Sequence, residues 1–484
     1  MISECIKYGR ISLWVAVLVV LAQCQTGAAK ARVEMIRVER PRLVVLTDIG
    51  GDPDDQQSMV RLLLYVNEYQ IEGLIATATR ERVSPGQIRE RVEAYRKTRP
   101  NLVKHAQGYP TADYLLEQIK AGVKGRSMAL VGAGKSTEAS EYIISVVNRP
   151  EARPVWITVW GAPTDLAQAL WDVSDRRSRA DVAKFVSRLR VYDIAGQDNT
   201  GAWICQRFPE IFWVRSVDQF QAISVRETSP FPPKVTGANI ETFTTEWVDE
   251  HVQSHGPLGR LYPERRWKYE GDTPAFLYLL RNGLSDPAHP HYGGWGGRFR
   301  REKTKNPACA WPRLTKTQTK YYDFWAYSDA EDTWSYKDIT YANSHYASLF
   351  RWRQAFQNDF AARMDWSITN SYAKANHNPV AAFDNDTSKD IVKMRVSPGQ
   401  KVALSAAGSN DPDGDELSFR WFYYKEPGNY EGIINIRNSN ARKASFTAPE
   451  VNKTKEVHII LEVKDDGEPS LYAYRRVIVT VKRR

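Results

Sequence analysis

Cysteine is scarce in this 484-residue chain, with four in all. Cys5 and Cys24 fall in the N-terminal segment, and neither Cys205 nor Cys309 stands at the spacing of a metal-ligand pair. A cysteine-nucleophile mechanism therefore has no support; a Cys205–Cys309 disulfide stays open, since sequence does not reveal whether the two are close. Also lacking is any long run of Lys and Arg. The formal charge of +10 is spread along the chain, so nucleic-acid binding has net charge alone behind it and is not expected, whereas anionic surfaces or glycans remain compatible. Long apolar runs are missing too. Ile11 to Ala22 follows Lys7 and Arg10 and precedes Gly27, Ala28 and Ala29, which is the form of a secretory signal over residues 1–29 rather than of a stable spanning helix. It implies a secreted or periplasmic protein with no transmembrane segment after signal removal. LAQC at Leu21 to Cys24 leaves lipoprotein anchoring at Cys24 as the alternative, although Gln23 is large for that position.

What is present is an ordinary globular composition, 42% hydrophobic and 26% charged, with 15 Trp and 24 Tyr. Aromatic faces are the usual stacking surfaces for sugar rings. The hydrophobic period changes once in a telling place. Leu43 to Leu46 reads as a buried parallel strand, and from about Asp54 the pattern is helical, with Met59, Leu62, Leu63 and Val66 on one face. Between them lie Asp48, Asp52, Asp54 and Asp55. A strand-to-helix turn at the carboxyl edge of a parallel sheet is where α/β folds place ligands. Four carboxylates so close repel one another, and a hard divalent cation with oxygen ligands relieves that repulsion.

TDIGGDPDD resembles the calcium-binding fingerprint of the nucleoside hydrolases, and more closely that of the cellulose-binding, nucleoside-hydrolase-like family, which joins such a domain to a β-rich C-terminal one. The resemblance implies an open, mostly parallel, doubly wound sheet over residues 40–370, then an Ig-like β-sandwich over 376–484. Asp48 and Asp54 are six apart rather than four as in the enzymes, so Asp52 competes with Asp54 for one role. Asp54 is preferred because Asp54 and Asp55 immediately precede the helix.

Farther along, IEGLIA, PVWITV and LRVYDIA read as buried strands alternating with helices. Ser84 to Arg99 and Glu241 to Val252 read as helices, and the aromatic, arginine-rich Ser344 to Met364 reads as the last helix of the large domain. No match exists for the asparagine that nucleoside hydrolases place after the second strand, because Thr77 to Arg80 stand there. ALVGAGKS lacks a strong preceding strand and reads as a glycine-rich loop, not a phosphate cradle. In WGAPTDL the residues alone give Thr164 or Asp165 as an N-cap; the resemblance implies that Thr164 supplies a backbone carbonyl to calcium. Gly196 to Asn199 with Trp203 suits a sugar-hydroxyl site, making Asp198, Asn199 and Trp203 candidate contacts. Asp272 is placed as an N-cap before Pro274, and by resemblance as a late calcium ligand; the histidine that precedes it in the enzymes is replaced by Gly271. The loop His289 to Arg298 brings an imidazole, an aromatic plate and a guanidinium together, so His291 is a candidate proton donor and Trp295 and Arg298 candidate sugar contacts. From Asn376 the pattern turns to alternating strands. Asp411-Pro412-Asp413-Gly414-Asp415 in that region reads as a structural turn.

The expected centre is thus Asp48, Asp54, Asp55, Thr164 and Asp272 around calcium, with Asp48 as proton acceptor. The expected function is a secreted calcium-dependent glycosidase, the N- or O-glycosidic bond undecided. The alternative is a non-catalytic protein that binds cellulose or another polysaccharide on a hydrolase scaffold. Oligomeric state is not legible.

Overall fold

The computed structural model describes residues 32–79, 82–224, 237–265, 269–304 and 323–483. The expected signal segment with Cys24, and also Arg80, Cys309 and any disulfide to it, lie outside the described residues. Cys205 is a buried free thiol.

Eight strands form the large sheet, in the order Phe299–Thr304, Phe324–Asp329, Phe212–Ser216, Leu189–Ile194, Val155–Val159, Arg42–Thr47, Gln70–Ala76, Ile119–Ala121. Every neighbouring pair is parallel except the first, an antiparallel edge. The central strand Arg42–Thr47 is buried at every position. Its side chains alternate between two cores: Leu43 and Val45 meet the helix Asp54–Tyr65, and Val44 and Leu46 meet Glu138–Asn148 and Thr164–Arg176. A strand covered by helices on both faces must be apolar throughout, which is why this run shows no polar alternation.

Several boundaries differ from the sequence expectation. The helix expected to end at Arg99 runs Pro85–His105 through Pro100, and buried Leu102 and His105 reward the extra turn. The helix expected over Glu241 to Val252 is a series of short turns, with one α-helical turn at Thr245–Val248. The aromatic, arginine-rich segment from Ser344 is the short helix Ala347–Phe350 followed by Arg353–Ile368.

The C-terminal region forms a five-stranded sheet ordered Arg32–Ile36, Ile391–Val396, Tyr472–Val481, Lys455–Lys464, Ser418–Tyr424. Facing it is the two-stranded ladder Lys401–Ser405 with Lys443–Thr447, and Val402, Leu404 and Phe446 share a core with Val477 and Val479. The strand Arg32–Ile36 was not foreseen in this sheet. It pairs antiparallel with Ile391–Val396, so the chain touches its C-terminal half before entering the large sheet.

The other face of the five-stranded sheet docks on the α/β body. Tyr424, Ile460 and Tyr474 belong to the same apolar cluster as Leu43 and Leu62. Tyr424 Oη donates to Asp332 Oδ2 at 2.6 Å, and Arg476 donates to the carbonyls of Leu284, Tyr292 and Gly293 at 2.7, 2.9 and 2.9 Å. No helix among the described residues is long and apolar enough to cross a membrane.

Candidate metal and saccharide site

From Arg42–Thr47 the chain moves outward to Gln70–Ala76 on one side; from Val155–Val159 it moves outward on the other. The carboxyl ends of these two central strands flank the switch point where such sheets bind ligands. Asp48 leaves the first of them. Gly161 follows the second, and a Cβ there would lie 2.5 Å from Asp48 Oδ1. Only a residue without a side chain lets the two strand ends come this close.

Asp54, Asp55 and Asp272 bring carboxylate oxygens within 4.8 Å of one another. Asp54 and Asp55 open the helix Asp54–Tyr65, and Asp55 is 4% exposed. Its Oδ1 accepts a 2.5 Å hydrogen bond from Thr47 Oγ1, which orients the carboxylate against the strand end. Asp52 is exposed, whereas Asp54 is the member that joins the cluster. Asp272 caps nothing with its side chain, and a buried network fixes its turn. Arg61 Nη1 donates to Glu270 Oε2 at 2.8 Å, Tyr262 Oη to Glu270 Oε1 at 2.8 Å, and the Glu270 N–H to Gln57 Oε1 at 2.9 Å. Arg61 and Gln57 lie on the same helix as Asp54 and Asp55, so the network ties the late aspartate to the early pair.

The electrostatics follow from burial and like charge. Burial, then Asp48 and Asp54, push the Asp55 carboxyl well above the usual range. Asp48 is pushed up to about 6, mainly by burial and against the pull of Arg126. Arg126 is the residue that sequence reasoning missed. Its Nη2 donates to Asp48 Oδ2 at 2.8 Å and its Nη1 to Gln197 Oε1 at 2.9 Å. An all-oxygen, mutually repelling donor set with Asp55 and Asp272 buried and Asp54 half-buried fits a hard divalent cation.

The side chains of several other expected residues tie the neighbouring turns together. Thr164 Oγ1 donates to Asp198 Oδ2 at 2.9 Å, and Asp198 Oδ1 accepts from Thr200 N and Oγ1 at 2.9 and 2.6 Å. Asp198 is fully buried and spent on these bonds, so it braces two helix starts instead of facing a sugar. Asn199 Oδ1 accepts from Met128 N at 3.0 Å and pins the loop that carries Arg126. Trp203 is half-buried and packs edge-on against Phe208.

The glycine-rich loop lies at the seam with the C-terminal sheet. Trp295 is 1% exposed and meets Phe356 and Tyr474 edge-on. Arg298 pairs with Asp332 at 2.6 Å. His291 sits edge-on to Tyr292, which in turn meets His458, and burial pulls its imidazole down to about 4. A neutral imidazole in that place does not donate a proton near neutral pH. The expectation of a sugar-facing loop gives way to packing.

The chain is similar to a nucleoside hydrolase-related hypothetical protein from Saccharophagus degradans that is associated with carbohydrate metabolism. Identity is 38%, coverage is 92% of this chain and 100% of that one, and the TM-score is 0.80. Weaker likenesses are the effector protein XOO4466, at 7% identity over 69% of this chain and 95% of that one with TM-score 0.35, and the PKD domain from KIAA 1837 protein, at 21% identity over 19% and 81% with TM-score 0.15. The comparison with curated proteins returned no match. Residues 42–299 match the family model described as cellulose-binding Sde182, nucleoside hydrolase-like domain, and residues 401–481 match the C-terminal domain of cellulose-binding protein Sde0182. With its switch-point aspartates, its eight-stranded sheet and its docked β-sandwich, the chain belongs to this cellulose-binding, nucleoside-hydrolase-like family.

Proposed function

We propose that the switch-point site is a calcium-dependent glycosidase centre acting on a polysaccharide or glycoside. The observation that carries this reading is the convergence of Asp54, Asp55 and Asp272 within 4.8 Å. These three residues would hold the ion, which supplies charge to polarise a water and to orient sugar hydroxyls. Asp48, beside them and raised to about 6, suits a proton acceptor near neutral pH. Thr47 keeps Asp55 aimed at the centre, and the Glu270 network keeps Asp272 there.

A second reading, binding of cellulose or another polysaccharide without turnover, is favoured by the Arg126–Asp48 ion pair, which engages the proton acceptor, and by the placement of His291 at the domain seam. Both readings sit with a secreted or periplasmic protein. A panel of aryl glycosides, nucleosides and plant-wall glycans, tested with wild type and Asp55→Asn and with calcium or chelator, separates them. Sugar release that needs both calcium and Asp55 supports the enzyme; calcium-dependent retention on cellulose with no release supports the binder. Release that is indifferent to chelator and to Asp55→Asn rejects the proposal.

A further inference from the structure

Arg126 rides on a loop that four neighbours staple in place. Val123 N donates to Asp165 Oδ1 at 3.0 Å, Met128 N to Asn199 Oδ1 at 3.0 Å, and Gly132 N to Gln168 Oε1 at 2.8 Å. Gln197, which receives Arg126 Nη1, donates its own amide to the Trp160 carbonyl at 2.5 Å. Asp165 and Gln168 start the helix after one central strand; Gln197 and Asn199 follow the next. Two strand-end loops therefore cooperate to present one guanidinium to one carboxylate. Between the first two staples Gly125 takes φ +121°, a left-handed setting that glycine adopts without strain.

Asp48 stands apart from the three-carboxylate group while repelling it. Asp54, Asp55 and Asp272 converge within 4.8 Å without Asp48, and the Asp48 charge acts on Asp55 more strongly than that of Asp54. A cation among the three would attract Asp48 as a further oxygen ligand, and the 2.8 Å bond from Arg126 opposes that move.

We infer that Arg126 is a latch on the cation centre: paired with Asp48 it keeps that carboxylate out of the ligand shell, and ligation by Asp48 releases the Arg126 guanidinium. Arg126 is then a positioning residue, acting through Asp48. The inference rests on the cation reading above. It makes ion binding and the Arg126–Asp48 pair two ends of one equilibrium, so each biases the other.

Calorimetric titration of calcium into the full chain, with wild type, Arg126→Gln and Arg126→Lys, tests it. Both variants bind calcium about tenfold more tightly than wild type, within the range of ordinary coupling. Lysine keeps the charge but cannot span Asp48 and Gln197 together, so a gain in that variant is not a bare charge effect. In an Asp48→Asn background the Arg126→Gln gain disappears. Nuclear magnetic resonance supplies a readout independent of affinity: calcium shifts the side-chain N–H signals of Arg126 in wild type as its bond to Asp48 breaks. Calcium binding by wild type with no gain in either variant, a gain undiminished by Asp48→Asn, or unchanged Arg126 side-chain signals each overturns the latch and leaves the cation reading standing. No calcium binding by wild type or variants removes both.

Discussion

Asp48→Asn removes a charge but keeps the shape of the side chain and an oxygen for Arg126 to donate to. In the folded protein burial raises this carboxyl from 3.8 to about 6, with Asp54 and Asp52 adding repulsion and Arg126 opposing. The unfolded chain keeps the ordinary value. The folded state therefore holds this proton more tightly than the unfolded state, and stability falls as pH rises from about 4 to about 6 and stays low above. At 1.36 kcal/mol per unit, the ionised form costs the cation-free fold about 3 kcal/mol at neutral pH. Urea unfolding in chelator, wild type against Asp48→Asn, reads this group together with the relief of Asp55, whose carboxyl the Asp48 charge also pushes up. The variant is more stable by up to about 3 kcal/mol at pH 7.5, and the difference closes near pH 4. Adding calcium reverses the order, since binding to the folded state stabilises wild type by mass action. A variant no more stable than wild type at pH 7.5 in chelator, or a difference that ignores pH, refutes the reasoning.

Other changes probe the supports. Gly161→Ala drives a methyl to within 2.5 Å of Asp48 Oδ1 and 2.7 Å of its Cβ; overpacking of this kind costs about 1–3 kcal/mol, and calorimetry shows weakened calcium binding while the far-ultraviolet circular dichroism is unchanged. Arg61→Met leaves Glu270 buried without its 2.8 Å cationic partner. A loss of about 3–5 kcal/mol in urea unfolding is expected. Cys205 is buried, and burial lifts its thiol above the ordinary range; mass spectrometry finds it unlabelled by iodoacetamide in the native protein and labelled after unfolding.

The large sheet was legible because each central strand is a short β-branched run bounded by turn residues, and burial on both faces removes polar alternation. The acidic turn was legible because its residues are neighbours in sequence. Arg126 was not. It lies in a segment whose nearest signal, the glycine-rich ALVGAGKS, points to the loop and says nothing of which side chain turns inward. The His289 to Arg298 loop misled for a physical reason. Its glycines read as freedom for a binding loop, yet a Cβ at Gly296 would lie 2.3 Å from Tyr278 N and one at Gly294 2.0 Å from Ser285 Oγ. Composition is the same whether glycine serves motion or close packing; only the neighbour distinguishes them.

That seam bears on the site as well. Arg476 reaches from the C-terminal sheet to the carbonyls of Leu284, Tyr292 and Gly293, and Gly296 in the same loop accepts from Tyr192 Oη at 2.9 Å. Tyr192 stands on Leu189–Ile194, the strand that delivers Gln197 and Asp198 to the sheet edge. A continuous chain of hydrogen bonds and packed backbone thus links the β-sandwich to the loop that receives Arg126. The C-terminal region acts as a brace for the α/β body and is not a detachable module, because its docking face carries core residues, Tyr424, Ile460 and Tyr474, that would otherwise meet water. Ending the chain before residue 376 exposes the apolar cluster that also packs the helix bearing Asp54 and Asp55. The expected result is an aggregating fragment without calcium affinity, seen by light scattering and calorimetry; a monomeric fragment that binds calcium as the full chain does would separate the brace from the site.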